Sequence, residues 1–388
     1  MKNKTFFILL TTIIAMCSCN SKSSSIDYLP CMVEENDDWG FVNAKGEVFC
    51  KNAFENKPTE VREGIFFVLE DYAYAMYQFD ANKPKLLMGD IVRFGLMNEG
   101  LVPVCRMDSH IEIVNSKGKT KFKLDKIEGQ DIVSCAPLFH CGYLTVKTTD
   151  KNGEKSYGVV DKSGKVVLSP KYQDIDILGD NLFYAYTYED GEKQGYFIDS
   201  KGKKQTQWKN NLRIEAMSDE FIAAAVDDKY YVYDLKGNEI LKCPSKVLGI
   251  DQIKNNYIVY VGKKGKYSYE NEYGVIDIKG ETIIPAKYKK IAIVDNGFVA
   301  GRYVDRTYES LLFDKNGELI SEIDDFADFV QIDGFGNLGR MNHEGDYILD
   351  ETFKPIINTE FYEISMSFGN TSDYYNEKYF YIANAQDD

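Results

Sequence analysis

Two apolar residues, then Asp or Asn, then Gly three positions further on: this pattern recurs along most of the 388-residue chain. Its first copy is Phe41-Val42-Asn43 leading to Gly46, and the later copies end in Gly118, Gly164, Gly202, Gly237, Gly280 and Gly317. Two degenerate copies, at Asp80 and Asp350, lack the Gly but carry Lys-Pro shortly after. The nine anchors lie 35 to 46 residues apart, near 38 on average. A second signal keeps the same phase some 20 residues later. It is a small polar turn before an apolar stretch, as in Glu63-Gly64-Ile65-Phe66-Phe67, Glu99-Gly100-Leu101-Val102, Asp180-Asn181-Leu182-Phe183 and Asn296-Gly297-Phe298-Val299. A fixed period of this length means tandem supersecondary units, each too small to bury its own apolar face alone.

The chemistry of each copy gives its shape. An Asx side chain accepts hydrogen bonds from backbone N–H groups, and Gly takes the left-handed conformation that tightens a turn. The flanking β-branched and aromatic residues favour extended backbone. The stretch from Tyr157 to Tyr188 reads as four strands: Tyr157–Asp161, Lys165–Leu168, Tyr172–Leu178 and Leu182–Tyr188. No apolar period of 3.6 residues is sustained, so helices should be few. The expected fold class is all-β, built of tandem ~38-residue four-stranded repeats in a propeller-like arrangement, with an open β-solenoid as the alternative. About nine units exceed the usual four to eight blades. That number points to a large ring, an incomplete ring or a superhelical array.

These residues resemble the WG-repeat family. Trp39-Gly40-Phe41-Val42-Asn43-Ala44-Lys45-Gly46 matches the first half of that repeat. Tyr157-Gly158-Val159-Val160-Asp161 through Pro170-Lys171-Tyr172, and Tyr273-Gly274-Val275-Ile276-Asp277 through Ile284-Pro285-Ala286-Lys287-Tyr288, match nearly throughout. The resemblance covers roughly residues 28 to 383. Gly195-Tyr196 is displaced by one residue, and the second, sixth and eighth units lack the aromatic-Gly pair. The resemblance implies a non-catalytic repeat module and brings no catalytic residues with it.

The N-terminus carries a different signal. Lys2 and Lys4 precede an apolar run from Thr5 to Met16, the length of a signal h-region and too short to span a bilayer. Met16-Cys17-Ser18-Cys19 resembles a bacterial lipobox. The reading is a signal peptide over 1–18, lipid (palmitate among its acyl chains) on Cys19, a flexible polar tether over 19–27 and a repeat domain over 28–388. No Asp follows Cys19, so outer-membrane retention is expected, with periplasmic and surface faces both open.

The chain holds 61 acidic and 46 basic residues, a net charge of -15, which disfavours nucleic acid as a partner. Cys31, Cys50, Cys105, Cys135, Cys141 and Cys243 follow the signal region. Cys135 and Cys141, close in sequence, are the first pair to test for a disulfide, whereas most of the six read as small buried strand residues. His110, His140 and His343 sit in no metal or catalytic spacing, and neither a nucleophile elbow nor a phosphate loop appears. The segments starting at Asp150 and Asp314 look superficially like calcium loops, but a hairpin turn explains both. Neither metal, cofactor nor catalytic residue is therefore expected.

The longer connections on a rigid scaffold are where binding should lie. Gly262 to Glu272 holds Tyr267, Tyr269 and Glu270 among Lys263, Lys264 and Lys266, and Tyr184 to Glu192 and Tyr303 to Glu309 are similarly Tyr- and acid-rich. The expected function is an envelope-anchored, non-catalytic binding or scaffold module for a protein or glycan. A glycan-processing enzyme on the same scaffold is the alternative.

Overall fold

The repeating Asx residue builds the same turn each time. Asp161 Oδ1 accepts from the backbone N–H of Ser163 (2.8 Å) and Lys165 (3.0 Å), while Gly164 N–H donates to Asp161 O (2.9 Å). The set is reproduced at Asn43, Asn115, Asp199, Asp234, Asp277 and Asp314. All seven expected glycines have φ between +72° and +87°. Of the Gly-less anchors, Asp80 takes up Asn82 and Lys83 N–H instead, and Asp350 keeps the bond from Lys354 N–H.

A computed structural model describes residues 26–364, apart from 36, 108–109, 190–191, 206–207, 209–211, 219, 305–306, 324–325, 333–335, 342–344, 351–353 and 362, together with 380–381. The described residues are all-β, with one 3-10 turn at Ser268–Glu270. The expected signal peptide, Cys19 and the expected tether up to residue 25 lie outside the described residues, as does His343. The strand Ile26–Met32 takes in the last two residues of the expected tether.

Antiparallel sheets follow one another along the chain, and we name their strands A to D from first to last within a blade. Blade 4 has A at Gln130–Cys135, B at Tyr143–Thr149, C at Lys155–Asp161 and D at Val166–Tyr172. Blade 7 has A at Gly249–Lys254, B at Tyr257–Lys263, C at Glu272–Asp277 and D at Thr282–Tyr288. Every anchor is a C–D turn. Hence the four strands read from Tyr157 to Tyr188 all exist, but they are C and D of blade 4 followed by A (Asp174–Gly179) and B (Leu182–Glu189) of blade 5. The sequence unit is offset by half a blade. Among the described residues of blade 5, the D position is marked by the bridge between Ile198 and Lys204 and by the bond from Gln205 N–H to Phe197 O.

That offset leaves the first blade short of a strand, and the far end of the chain supplies it. Blade 1 has B at Ile26–Met32, C at Trp39–Val42 and D at Val48–Phe54, and its strand A is Glu363–Ile364, pairing antiparallel with Cys31 and Met32. Ile348 and Phe361 of the last unit pack with Leu29, Cys31, Val42 and Ile364 in one core. First and last units therefore meet, which makes the array a closed, propeller-like ring and disposes of the open solenoid.

The core is not a single mass but a series of apolar layers between successive blades. Strand alternation builds them. On strand B of blade 6 (Phe221–Val226), Ile222 and Ala224 face blade 5, while Ala223 and Ala225 face blade 7. On strand C (Lys229–Asp234), Tyr231 and Tyr233 face blade 5, and Tyr230 and Val232 face blade 7. Each sheet is thus buried on both faces, and its two sides belong to different cores.

Two recurring sequence signals acquire a physical cause here. The Gly of the aromatic-Gly pair sits where the D-strand backbone bulges against strand C. A Cβ on Gly158 would lie 2.8 Å from Leu168 O, and one on Gly274 would lie 2.7 Å from Ile284 O. The preceding aromatic pairs across the same bulge with an aromatic of strand D: Trp39 with Phe54, Tyr157 with Tyr172, Tyr273 with Tyr288. Blade 8, which lacks the Gly, runs straight at that point, with Leu311 opposite Glu322. The Glu-Gly signal is an A–B hairpin with both central residues at positive φ, the conformation favoured in tight hairpins. Its acid also reaches the next blade: Glu63 accepts from Gly100 N–H (2.7 Å), and Glu99 from Gly142 N–H (2.9 Å). Asp27 does the same for Gly64 (3.3 Å).

Candidate functional site

Strand direction fixes where the loops go. In blade 4, strand D ends with Tyr172 opposite Tyr157 near the start of C, and after one residue strand A of blade 5 begins with Asp174 opposite Tyr186 near the end of B. The D-to-A corner therefore lies at the B–C end of both blades. Repeated around the ring, this puts all B–C hairpins on one face and the A–B and C–D turns on the other.

Every exposed aromatic side chain among the described residues lies on a B–C hairpin or its strand ends: Tyr72 between Ile65–Glu70 and Ala73–Gln78 of blade 2, Tyr188 in blade 5, Tyr267 and Tyr269 in blade 7, and Tyr303 near the end of Gly297–Val304 in blade 8. Met107, in blade 3, joins them. The exposed aliphatic residues Val48, Leu86, Ile240, Leu319 and Ile320 are scattered instead along outer D strands, and Leu248 lies in the corner between Glu239–Lys242 and Gly249–Lys254. Buried tyrosines serve packing. Tyr184 is 2% exposed and donates to Leu212 O, which removes it from the Tyr184–Glu192 candidate segment and leaves Tyr188 at its tip.

Blade 7 carries the most developed of these hairpins. Tyr267 and Tyr269 are 50% and 61% exposed, with their rings parallel (9° between planes) and centroids 5.4 Å apart. The Lys266 ammonium lies 5.3 Å from the Tyr267 ring centroid. Glu270 is not available as a contact in the same sense. Its carboxylate accepts from the Lys266 N–H (2.6 Å) and Tyr267 N–H (3.3 Å), and its carbonyl accepts from Lys289 Nζ (3.1 Å). Asn271 Oδ1 accepts from Gly265 N–H (3.1 Å). Gly262, Lys263 and Glu272 belong to the flanking strands, not to the loop. Lys263 Nζ lies 3.0 Å from Glu272 Oε1, and this contact, with Lys289 beyond, holds the Glu272 carboxyl below its ordinary range. The sequence singled out the right segment but assigned Glu270 outward, because spacing does not reveal which carboxylate closes a loop on itself.

The opposite face has a depression of about 640 Å³, lined by Gly142, Tyr143, Asp161, Lys162, Asp180 and Ser200 among others. Several of its polar groups are engaged within the fold. Tyr143 Oη donates to Asp180 O (2.7 Å), Lys162 pairs with buried Glu99 (2.8 Å), and Asp161 is filled by its own turn. Burial pushes His140 down, against the charges of Glu99 and Asp180 nearby. His110 pairs with Asp125 (2.8 Å) at the surface. Among the described residues no three His, Cys, Asp or Glu side chains group as metal ligands. The calcium look-alikes are turns: Asp150 Oδ1 accepts from Asn152 and Glu154 N–H on the blade 4 B–C hairpin, and Asp314 does likewise at its anchor.

The cysteine expectation is corrected. In this structure Cys135 is a reduced thiol whereas Cys141 is disulfide-bonded, so the two are not joined to each other. Cys135 ends strand A of blade 4 and points into the core shared with blade 3, whereas Cys141 lies in the following turn and joins the core shared with blade 5.

Two stretches, residues 157–185 and 273–300, match the WG containing repeat family. They are the two units in which the aromatic-Gly pair, the anchor and the Lys-Tyr segment all persist. No curated protein matches the chain. Among solved structures, Hsv2p of Kluyveromyces lactis is 10% identical with a TM-score of 0.36, over 68% of this chain and 96% of that one. BamB of Moraxella catarrhalis is 12% identical with a TM-score of 0.33, over 72% and 94%. The protein lmo1340 of Listeria monocytogenes is 12% identical with a TM-score of 0.37, over 76% and 94%. The chain is thus an all-β repeat protein with two units similar to the WG containing repeat.

Proposed function

We propose that this protein is an envelope-anchored, non-catalytic binding or scaffold module that holds a protein or glycan partner on its B–C face. The observation that carries this reading is the confinement of the exposed tyrosines to that one face. Tyrosine offers large, stiff, amphipathic contact area at low entropic cost, and a solvated aromatic contributes nothing to the ring's own core. The blade 7 loop is pre-organised by internal hydrogen bonds, which lowers the ordering cost of binding. Immobilised mature protein should capture a defined partner from envelope extracts, and replacing residues 264–271 by a short Gly-Ser turn should weaken that capture at least tenfold. Undiminished capture would move the binding face elsewhere. The alternative, a glycan-processing enzyme, requires two carboxylates about 5 to 9.5 Å apart in one cleft. Turnover of envelope glycans by the purified protein would replace the binding reading.

Anchoring rests on the lipobox resemblance at Met16-Cys17-Ser18-Cys19. Cys19→Ala should move the protein from the membrane to the soluble fraction. Continued membrane association of that variant, with release by Cys17→Ala, would reassign the acylated residue.

A further inference from the structure

Two thiols that are 30 residues apart in the chain meet in one core. Cys105 lies on strand B of blade 3 (Leu101–Arg106) and Cys135 at the end of strand A of blade 4. Both are wholly buried, and both belong to the apolar layer between these blades, with Leu101, Ile111, Ile132, Phe139 and Leu144. We propose that Cys105 and Cys135 form a disulfide that fastens blade 3 to blade 4. The proposal rests on the export reading for its oxidising compartment.

Their proximity has an electrostatic signature. Burial pushes the Cys135 thiol up, and a negative Cys105 adds to that effect. Cys31 and Cys243 are also pushed up, to about 12 each, but by burial alone, with no second thiol acting on them. Cys50 lies outside this core, its thiol directed at the carbonyls of Asp80 and Ala81, while the Cys105 thiol is directed at the carbonyl of Arg106 (3.6 Å) beside it. Strand pairing accounts for the meeting. Cys105 is opposite Arg93 and Ile111 within blade 3, Cys135 is opposite Val146 within blade 4, and the two strands turn these side chains into the same layer.

The chemistry needs an external disulfide, such as oxidised glutathione or a dithiol oxidase. One cysteine thiolate attacks that disulfide and expels one thiol, and the second cysteine displaces the other. Two S–H bonds are lost, one S–S bond forms, and two electrons reduce the external disulfide to two thiols. A buried thiol with a raised pKa is a poor nucleophile, so the bond closes while the blades are docking and then resists reduction in the finished ring.

The test uses the mature chain, refolded in a glutathione redox buffer and, in parallel, in excess reductant. Remaining thiols are alkylated in denaturant before tryptic mapping. The expected result is a reductant-sensitive link between the peptides Phe94–Arg106 and Ile127–Lys147. The link should persist in Cys141→Ser, which shares the second peptide, and vanish in Cys135→Ser. The oxidised protein should melt about 5 °C above the reduced one. Alkylation of both Cys105 and Cys135 after refolding in redox buffer overturns the proposal, as does a link retained in Cys135→Ser. Should the variants fail to fold, alkylation of the parent chain alone decides the matter. Native protein, alkylated at cell lysis, separates the two readings: a link that forms in the redox buffer but is absent in cells contradicts export, not the geometry.

Discussion

The smallest determinant of this fold is one Asx side chain holding two backbone N–H groups, with a glycine beside it at positive φ. Gly164 has φ +83°, and a Cβ there would meet the Phe122 ring of the neighbouring blade at 2.8 Å. Gly164→Val should therefore destabilise the protein by about 1 kcal/mol or more, combining backbone strain with a clash. Gly280 has φ +87° but faces Leu241 at 3.4 Å, so Gly280→Val should cost less. Equal melting temperatures for the two variants would contradict this account. The carboxylates add a pH dependence. Backbone hydrogen bonds, from Asn82 to Asp80, from Lys203 to Asp199 and from Glu318 to Asp314, hold these carboxyls below their ordinary range. A folded pKa below the unfolded value of about 3.9 contributes stability that is complete above it and is lost as pH falls through the folded value. Acid sensitivity should therefore begin below about pH 4. Asn43 and Asn115 make the same turn without a charge. Asp199→Asn with Asp314→Asn should thus keep the fold at neutral pH and flatten the loss of stability below pH 4. An unchanged slope in acid denaturation would refute that role.

At the level of strands and hairpins, the sequence disclosed the turns and hid the blades. Turn residues act locally, so Asn43, Asp161 and Gly280 announce their geometry within five residues. The grouping of strands into sheets is set by which strands pair and by the D-to-A corner, and no local residue encodes it. That is why Tyr157 to Tyr188 reads as one unit but spans two blades. The candidate loop was legible for the same local reason, since it interrupts the period. The inward role of Glu270 was not, because it depends on the Lys266 N–H folding back onto its carboxylate and on Lys289 Nζ reaching its carbonyl from another strand. The loop's hydrogen bonds are largely internal, and its outer rings are solvated. Replacing residues 264–271 by a Gly-Ser turn should hence change stability little, because loop closure costs about 0.6 kcal/mol per doubling of length. Gly262 must be kept, since a Cβ there would meet Ala286 at 2.3 Å. Global unfolding of the loop variant would show that the segment is structural.

At the scale of the molecule, the decisive feature is closure. Each blade buries both faces only if it has two neighbours, so an open array would leave Leu29, Val42 and Ile348 at bare ends. The half-blade offset turns this into a covalent logic: strand B opens the repeat domain, and its strand A must come from the C-terminal end. The period in the sequence did not reveal that pairing, because Cys31 and Ile364 are separated by nearly the whole chain. Closure also makes the B–C face a continuous rim, across which the proposed binding surface would span separate hairpins. Ile364 is the register partner of native Cys31. An Ile364→Cys variant under mild oxidation should form a reductant-sensitive link to Cys31, seen as faster migration on a non-reducing gel and as a linked peptide by mass spectrometry. If the introduced thiol instead stays fully open to alkylation and no link to Cys31 forms, the ends do not meet and the ring is not closed.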